Sequence, residues 1–224
     1  MLTAPRRLVL IGSIVIATVL ATGAWVFSNR STQLDYRMQE VFYLGRFHRY
    51  DDVISQAAQR YGVSPSLVKA VIWRETRFQP DVKGTRGERG LMQITEAAAA
   101  DWVKSEKIET FVPTDLFDPK TNIEAGTWYL ARALKHWAHK DDPIPFALAE
   151  YNAGRTRVRR WEKGAALDGE FTAANLKAVM DFPATKQYLL SIIDRYRDYL
   201  ARGEFGENPQ SPPILLQKKE VQSP

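Results

Sequence analysis

The chain has 224 residues, enough for one domain with appendages rather than two full domains. Its composition, 45% hydrophobic and 25% charged, is ordinary globular usage and excludes a disordered or fibrous chain. A net charge of +5 points to acidic partners or a well-solvated surface, while the absence of cysteine excludes disulfides, thiolate metal sites, a Cys nucleophile and a lipidated N-terminal Cys.

In chain order, residues 1–7 form a short basic stub with Arg6 and Arg7. Leu8 to Phe27 then carries no charged side chain. At about 1.5 Å per residue this run spans roughly 30 Å, a hydrocarbon core, and Trp25 and Phe27 at its far edge suit an interfacial belt. A cleaved signal peptide competes, since Ala21 and Gly23 offer small residues, but the run is longer than a usual cleavable segment. An uncleaved anchor at 8–27 is therefore expected, N-terminus in the cytoplasm and the rest outside. Arg30, Arg37 and Arg46 beyond the span keep the charge rule from setting the topology alone. Residues 28–50 read as a juxtamembrane helix or stalk.

The stretch 51–202 reads as mainly α, with enough chain to bury a core. Ser64-Pro65 is a helix start, followed by Val68, Val71, Ile72 and Glu75 at helical spacing. Lys83 to Gly90 is a glycine-rich loop or at most a minor hairpin. Asp118-Pro119 opens a helix with Ile123, Gly126, Leu130 and Trp137 on one stripe; Pro145 to Ala153 is a short helix stopped by Gly154. Pro183 starts a long helix with Tyr188, Leu189, Ile192, Ile193, Tyr196 and Leu200 facing inward. The run Arg155, Arg157, Arg159, Arg160 and Lys163 reads as a solvated helix face, with contact to an anionic polymer as the other reading. It carries no nucleic-acid-binding motif. His136 and His139, three apart, read as exposed helix residues, because no third metal ligand accompanies them. Residues 203–224, with Pro209, Pro212 and Pro213, read as a loose tail.

Glu75 is out of place, because a carboxylate continues an apolar stripe. Two readings fit. Either the helix end leaves the core and Glu75 meets water, Arg74 or Arg77, or the carboxyl is held against apolar surface. In the second case desolvation lifts its pKa above the roughly 4.3 of free Glu and makes it a general acid near neutral pH.

Its surroundings carry further signals: Trp73-Arg74-Glu75-Thr76-Arg77-Phe78-Gln79-Pro80, then Gly90-Leu91-Met92-Gln93-Ile94, the helix from Asn122-Ile123 to Tyr129-Leu130, and Ala149-Glu150-Tyr151-Asn152-Ala153-Gly154. In that order and spacing, from about Asp51 to Leu200, the chain resembles the soluble lytic transglycosylase family, whose lysozyme-like domain cleaves bacterial peptidoglycan. Two departures stand out. Glu150 occupies a position where relatives have a small residue, and is expected to be solvent-exposed or paired with a base. Ala184-Thr185-Lys186 lacks the acid of the usual Glu-Thr-Arg.

The resemblance implies a lysozyme-like helical domain with Glu75 as the single catalytic acid, no metal and no cofactor. Thr76, Gly90, Met92, Gln93, Tyr151 and Asn152 would bind substrate: Thr76 steadying the acid, Gly90 letting backbone approach ligand, Met92 and Gln93 lining the cleft, and Tyr151 and Asn152 facing Glu75. Apart from the resemblance, Met92 and Tyr151 also fit as core residues. The implied partner is the peptidoglycan strand, with the catalytic domain on the periplasmic side of the inner membrane, tethered through 8–27 and open to an envelope complex. The competing functions are a hydrolytic muramidase on the same fold and a non-catalytic wall-binding scaffold. The former needs a second carboxylate at roughly 5–10 Å, with Asp101, Asp118 and Glu150 as candidates.

Overall fold

The computed structural model describes residues 40, 44–165 and 170–207. Contacts divide the chain into Met1–His48 and Arg49–Pro224. In the first unit Leu44–Phe47 makes one helical turn. The expected anchor at 8–27 lies outside the described residues, among which no helix is long and apolar enough to cross a membrane.

The second unit is built of helices: α1 (Asp51–Tyr61), α2 (Pro65–Thr76), α3 (Glu96–Glu106), a 3-10 turn (Pro113–Phe117), α4 (Pro119–His136), α5 (Pro143–Ala153), α6 (Arg155–Gly164), α7 (Ala173–Val179) and α8 (Pro183–Arg202). Local chemistry sets most of the starts. Ser64 Oγ accepts from Leu67 N, Thr95 Oγ1 from Ala98 N and Asp118 Oδ2 from Thr121 N, satisfying amides the helix cannot. Pro65, Pro119, Pro143 and Pro183 stand in first turns, where no amide is needed. Among the described residues the Lys83–Ile94 loop contributes only two isolated antiparallel bridges, Lys83 with Arg89 and Arg89 with Ile94.

Helix α2 is the centre of the unit. Leu67, Val68, Ala70, Val71 and Ile72 are fully buried, and α8 packs along it while α4 packs on α1 and α5. Each large aliphatic side chain buried here contributes roughly 1.5–3 kcal/mol. The inward face of α8 differs from expectation by one position: Tyr199 is buried and Leu200 only half-buried. Helix α6 presents Arg155, Arg159, Arg160 and Lys163 to solvent, the solvated face expected of that basic run.

Two features correct the sequence reading. Lys69, in the middle of α2, is 1% exposed and its Nζ reaches Asp51 at 2.9 Å and Glu204 at 2.7 Å. Glu207 accepts from Ser66 N at 3.0 Å. Gly203–Glu207, read as the start of a loose tail, is therefore tied to α2 by a buried cation needing two carboxylates to offset its desolvation. Glu150 is also not exposed: it is 2% accessible, with His136 Nδ1 and Trp137 Nε1 each 2.8 Å from its carboxylate. Of the two expectations for it, pairing with a base holds. The same contact makes His136 a half-buried partner rather than an exposed helix residue.

Candidate active site

Glu75 is the penultimate residue of α2, and the chain turns sharply after it. Arg77 and Phe78 have φ of 53° and 62°, two successive non-glycine residues in the left-handed region. That conformation costs roughly 1–2 kcal/mol per residue. Burial of the Phe78 ring, 1% exposed, offsets it and pins the turn. The result is a carboxyl at the end of an apolar helix, on the wall of a cleft of about 490 Å³. The other walls come from the Gly84–Gln93 loop, Thr95 and the Tyr151–Gly154 end of α5. A larger hollow of about 720 Å³, between α3 and Pro113, includes none of these groups.

Burial is the main influence on Glu75. Desolvation pushes its pKa from 4.5 up to about 7, and the Glu88 charge adds to the rise. The hydrogen bond from Tyr188 and the charges of Arg74 and Arg86 oppose it without cancelling it. Glu75 is thus protonated in about half of the molecules near neutral pH, the state a general acid needs. Tyr188 donates its hydroxyl to Glu75 Oε1 at 2.6 Å, and the Arg74 guanidinium lies 5.4 Å from that tyrosine's ring centre. Burial holds the phenols of Tyr188 and Tyr151 well above their ordinary pKa, so both remain donors. In the Tyr188→Phe variant the donor that favours the ionised form is gone. Its Glu75 carboxyl is expected to titrate about one pH unit or more higher. A 13C NMR titration of the side-chain carboxyls checks this; an unmoved or lowered midpoint refutes the assignment.

Of the residues singled out in the sequence, Glu75, Gln93, Tyr151 and Asn152 meet at the cleft. Tyr151 makes no hydrogen bond to the acid. Its hydroxyl donates to Met92 O at 2.8 Å and its ring stands edge-on to Tyr129 at 5.4 Å. The tyrosine on the glutamate is Tyr188, which α8 supplies. Gln93, at φ 50°, spends its amide nitrogen on Val82 O at 3.0 Å and Gly90 O at 2.9 Å. Asn152 Oδ1 accepts from Thr185 at 2.8 Å, which fixes the amide in the cleft wall. The element carrying Ala184-Thr185-Lys186 thus reaches the cleft through its threonine.

Three expectations are corrected. Thr76 is 5% exposed and donates to Leu91 O at 3.0 Å, so it ties α2 to the following loop instead of meeting the acid. Met92 is fully buried with its sulfur in the space that Gly126 leaves, so its side chain is core. At Gly90, φ 70°, a Cβ would be closer than 3.0 Å to Leu116 O and the Asn122 amide; the close approach is to protein, not to ligand. Asn122 is the reason. Fully buried, it accepts from Met92 N at 2.7 Å and donates to Arg89 O and Leu116 O, each at 2.8 Å.

None of the expected second carboxylates lines the cleft. Asp101 pairs with Arg132, Asp118 caps α4, and Glu150 lies under His136 and Trp137. The second carboxylate in the wall is Glu88, beside Arg86. Periodicity gave no access to it, because it lies in an irregular loop. Tyr188 did carry a signal, a hydroxyl on an inward-facing stripe.

Residues 52–171 match the family model described as the transglycosylase SLT domain. The chain is 34% identical over 166 residues to membrane-bound lytic murein transglycosylase F of Desulfosudis oleivorans, covering 72% of this chain and 32% of that protein. It is 31% identical to the soluble lytic murein transglycosylase of Salmonella typhimurium, covering 69% of this chain and 24% of the relative. The crystal structure of the 70 kDa soluble lytic transglycosylase from Escherichia coli superposes with a TM-score of 0.63 at 30% identity, over 71% of this chain and 25% of that one. The chain thus spans a third or less of the length of these relatives. With more than half of its residues matched in order, and the lysozyme-like helical fold shared, the chain belongs to the SLT transglycosylase domain family.

Proposed function

We propose that the chain is a peptidoglycan lytic transglycosylase, cleaving the β-1,4 bond between N-acetylmuramic acid and N-acetylglucosamine. The observation that carries this reading is the Glu75 carboxyl, raised to a pKa of about 7 and held by one tyrosine hydroxyl on the wall of an open cleft. Glu75 gives its proton to the glycosidic oxygen as the bond to the anomeric carbon breaks. Now a carboxylate, steadied by Tyr188, it takes the proton from the muramic acid's own C6 hydroxyl. That oxygen closes on the anomeric carbon, giving a 1,6-anhydro end and a reprotonated acid. An intramolecular nucleophile has a high effective concentration, so the site need not position a water. Gln93, Tyr151 and Asn152 frame the sugar.

Residues 8–27 serve in this reading as an inner-membrane anchor with the catalytic unit in the periplasm. The uncharged run in the sequence supports it, and a tether confines cleavage to strands near the membrane. Reporter fusions after Ser28 and near Pro224 test the topology, and a cytoplasmic C-terminus would put the substrate out of reach.

The chemistry is tested by digesting purified wall with the full chain and analysing the sugar ends by mass. Anhydro ends are expected, 18 Da lighter than hydrolysed ones. Reducing ends would transfer the reading to a hydrolytic muramidase, with Glu88 as the second carboxylate that mechanism needs.

A further inference from the structure

One wall of the cleft carries an acidic side chain that the acid–base scheme leaves unused. Glu88 follows a tight turn at Gly87, φ 87°, and its side chain, 14% exposed, folds back over that turn. Oε2 accepts from Arg86 N and Oε1 from Arg86 Nε, both at 2.9 Å. Burial works against its ionisation, but the backbone amides of Glu88 and Arg86 and the Arg86 charge outweigh burial and hold the carboxyl below its ordinary pKa. Glu88 is therefore a fixed carboxylate, a strong acceptor and not a second acid.

Gln93 stands on the same wall. Its amide nitrogen is committed to Val82 O and Gly90 O, which leaves Oε1 facing the other way. Among the described residues no donor reaches that oxygen. Both acceptors pack against Gly84: a Cβ there would be closer than 3.0 Å to Glu88 Oε2 and to Gln93 Oε1, so only glycine lets the two oxygens come this close. All three residues line the cleft with Glu75. Two acceptor oxygens side by side repel each other until a donor hydrogen on the cleft side bridges them.

We propose that Glu88 and Gln93 form an acceptor pair beside Gly84 that takes a hydroxyl or amide N–H of the bound glycan, making Glu88 a substrate-positioning residue. The proposal rests on the glycan-cleaving reading above and adds a binding determinant to it. It identifies the ligand by chemistry: a neutral sugar presenting O–H or N–H to a charge-assisted acceptor pair.

The test is a binding titration on the full chain carrying Glu75→Gln, so that turnover does not interfere. The probes are tri-N-acetylchitotriose and cellotriose, which share the β-1,4 linkage but differ in the amide. Adding Glu88→Ala should weaken trisaccharide binding by about 10- to 100-fold. Gly84→Ala, whose methyl displaces both oxygens and removes no polar atom, should weaken it similarly. Glu88→Gln, which keeps an acceptor oxygen, should lose less. A penalty seen only with the acetylated probe assigns the donor to the amide; one seen with both assigns it to a hydroxyl. Melting curves show whether each variant is folded. Affinity unchanged in folded Glu88→Ala or in Gly84→Ala overturns the acceptor pair while leaving the cleft reading intact. No binding by the Glu75→Gln parent would overturn both.

Discussion

Glu75→Gln is expected to lower kcat by roughly 10³-fold or more, since positioned acid–base catalysis contributes about 10²–10⁴-fold and this one group acts in both proton transfers. Glutamine has nearly the same shape and its oxygen still accepts from Tyr188, so the loss should appear in kcat with the fold intact. A second consequence follows from linkage. The carboxyl has an ordinary value of 4.5 and a folded value of about 7, so between these pH values the folded chain keeps a proton that the unfolded chain releases. The stability this provides is fully present below the ordinary value and is lost as pH rises through 7. The ionised side chain then costs on the order of 3 kcal/mol relative to low pH. Glu75→Gln should therefore be more stable than the parent at pH 8 and close to it near pH 4.5. Denaturant melts at both pH values, alongside turnover of purified wall, check the two effects. Activity within tenfold of the parent would remove Glu75 from the chemistry. A stability difference that does not change with pH would show that its carboxyl is not desolvated.

Asn122→Ala carries the largest expected cost in stability, about 3–5 kcal/mol. The side chain is fully buried and satisfies Met92 N, Arg89 O and Leu116 O at once. Alanine orphans all three and leaves a void, and each unpaired buried group costs roughly 1–3 kcal/mol. Gly90 cannot move in to compensate, because its own position depends on having no side chain against this amide. The Gly84–Gln93 wall hangs from these bonds, so KM should rise as well. For a domain of this size the shift corresponds to roughly 10 °C in Tm. A loss below 1 kcal/mol would mean that water replaces the amide and the wall stands without it.

The placement of these groups shows what local rules reach. The start of α2 at Pro65, the cap at Asp118 and the stop at Gly154 were legible, because each depends on backbone and side-chain chemistry within a few residues. The position of Glu75 on an apolar stripe was legible for a related reason, but the stripe left open whether the helix end carries it to water; packing decided that it is buried. Motif position does not fix side-chain direction. Thr76, Gly90 and Met92 sit inside strongly patterned segments, yet their side chains or open sides face protein.

By itself the sequence determined the helical class, the ends of the main helices, the family and the place of Glu75 on an apolar stripe, all governed by short-range spacing. Only tertiary packing decided that Tyr188, 113 residues away, holds that carboxyl, that Glu150 is buried against His136 and Trp137, that Lys69 gathers Asp51 and Glu204, and that Glu88 enters the cleft. A buried polar group takes its partner from whatever the packed helices bring within about 3 Å, and that distance is set in space, not along the chain.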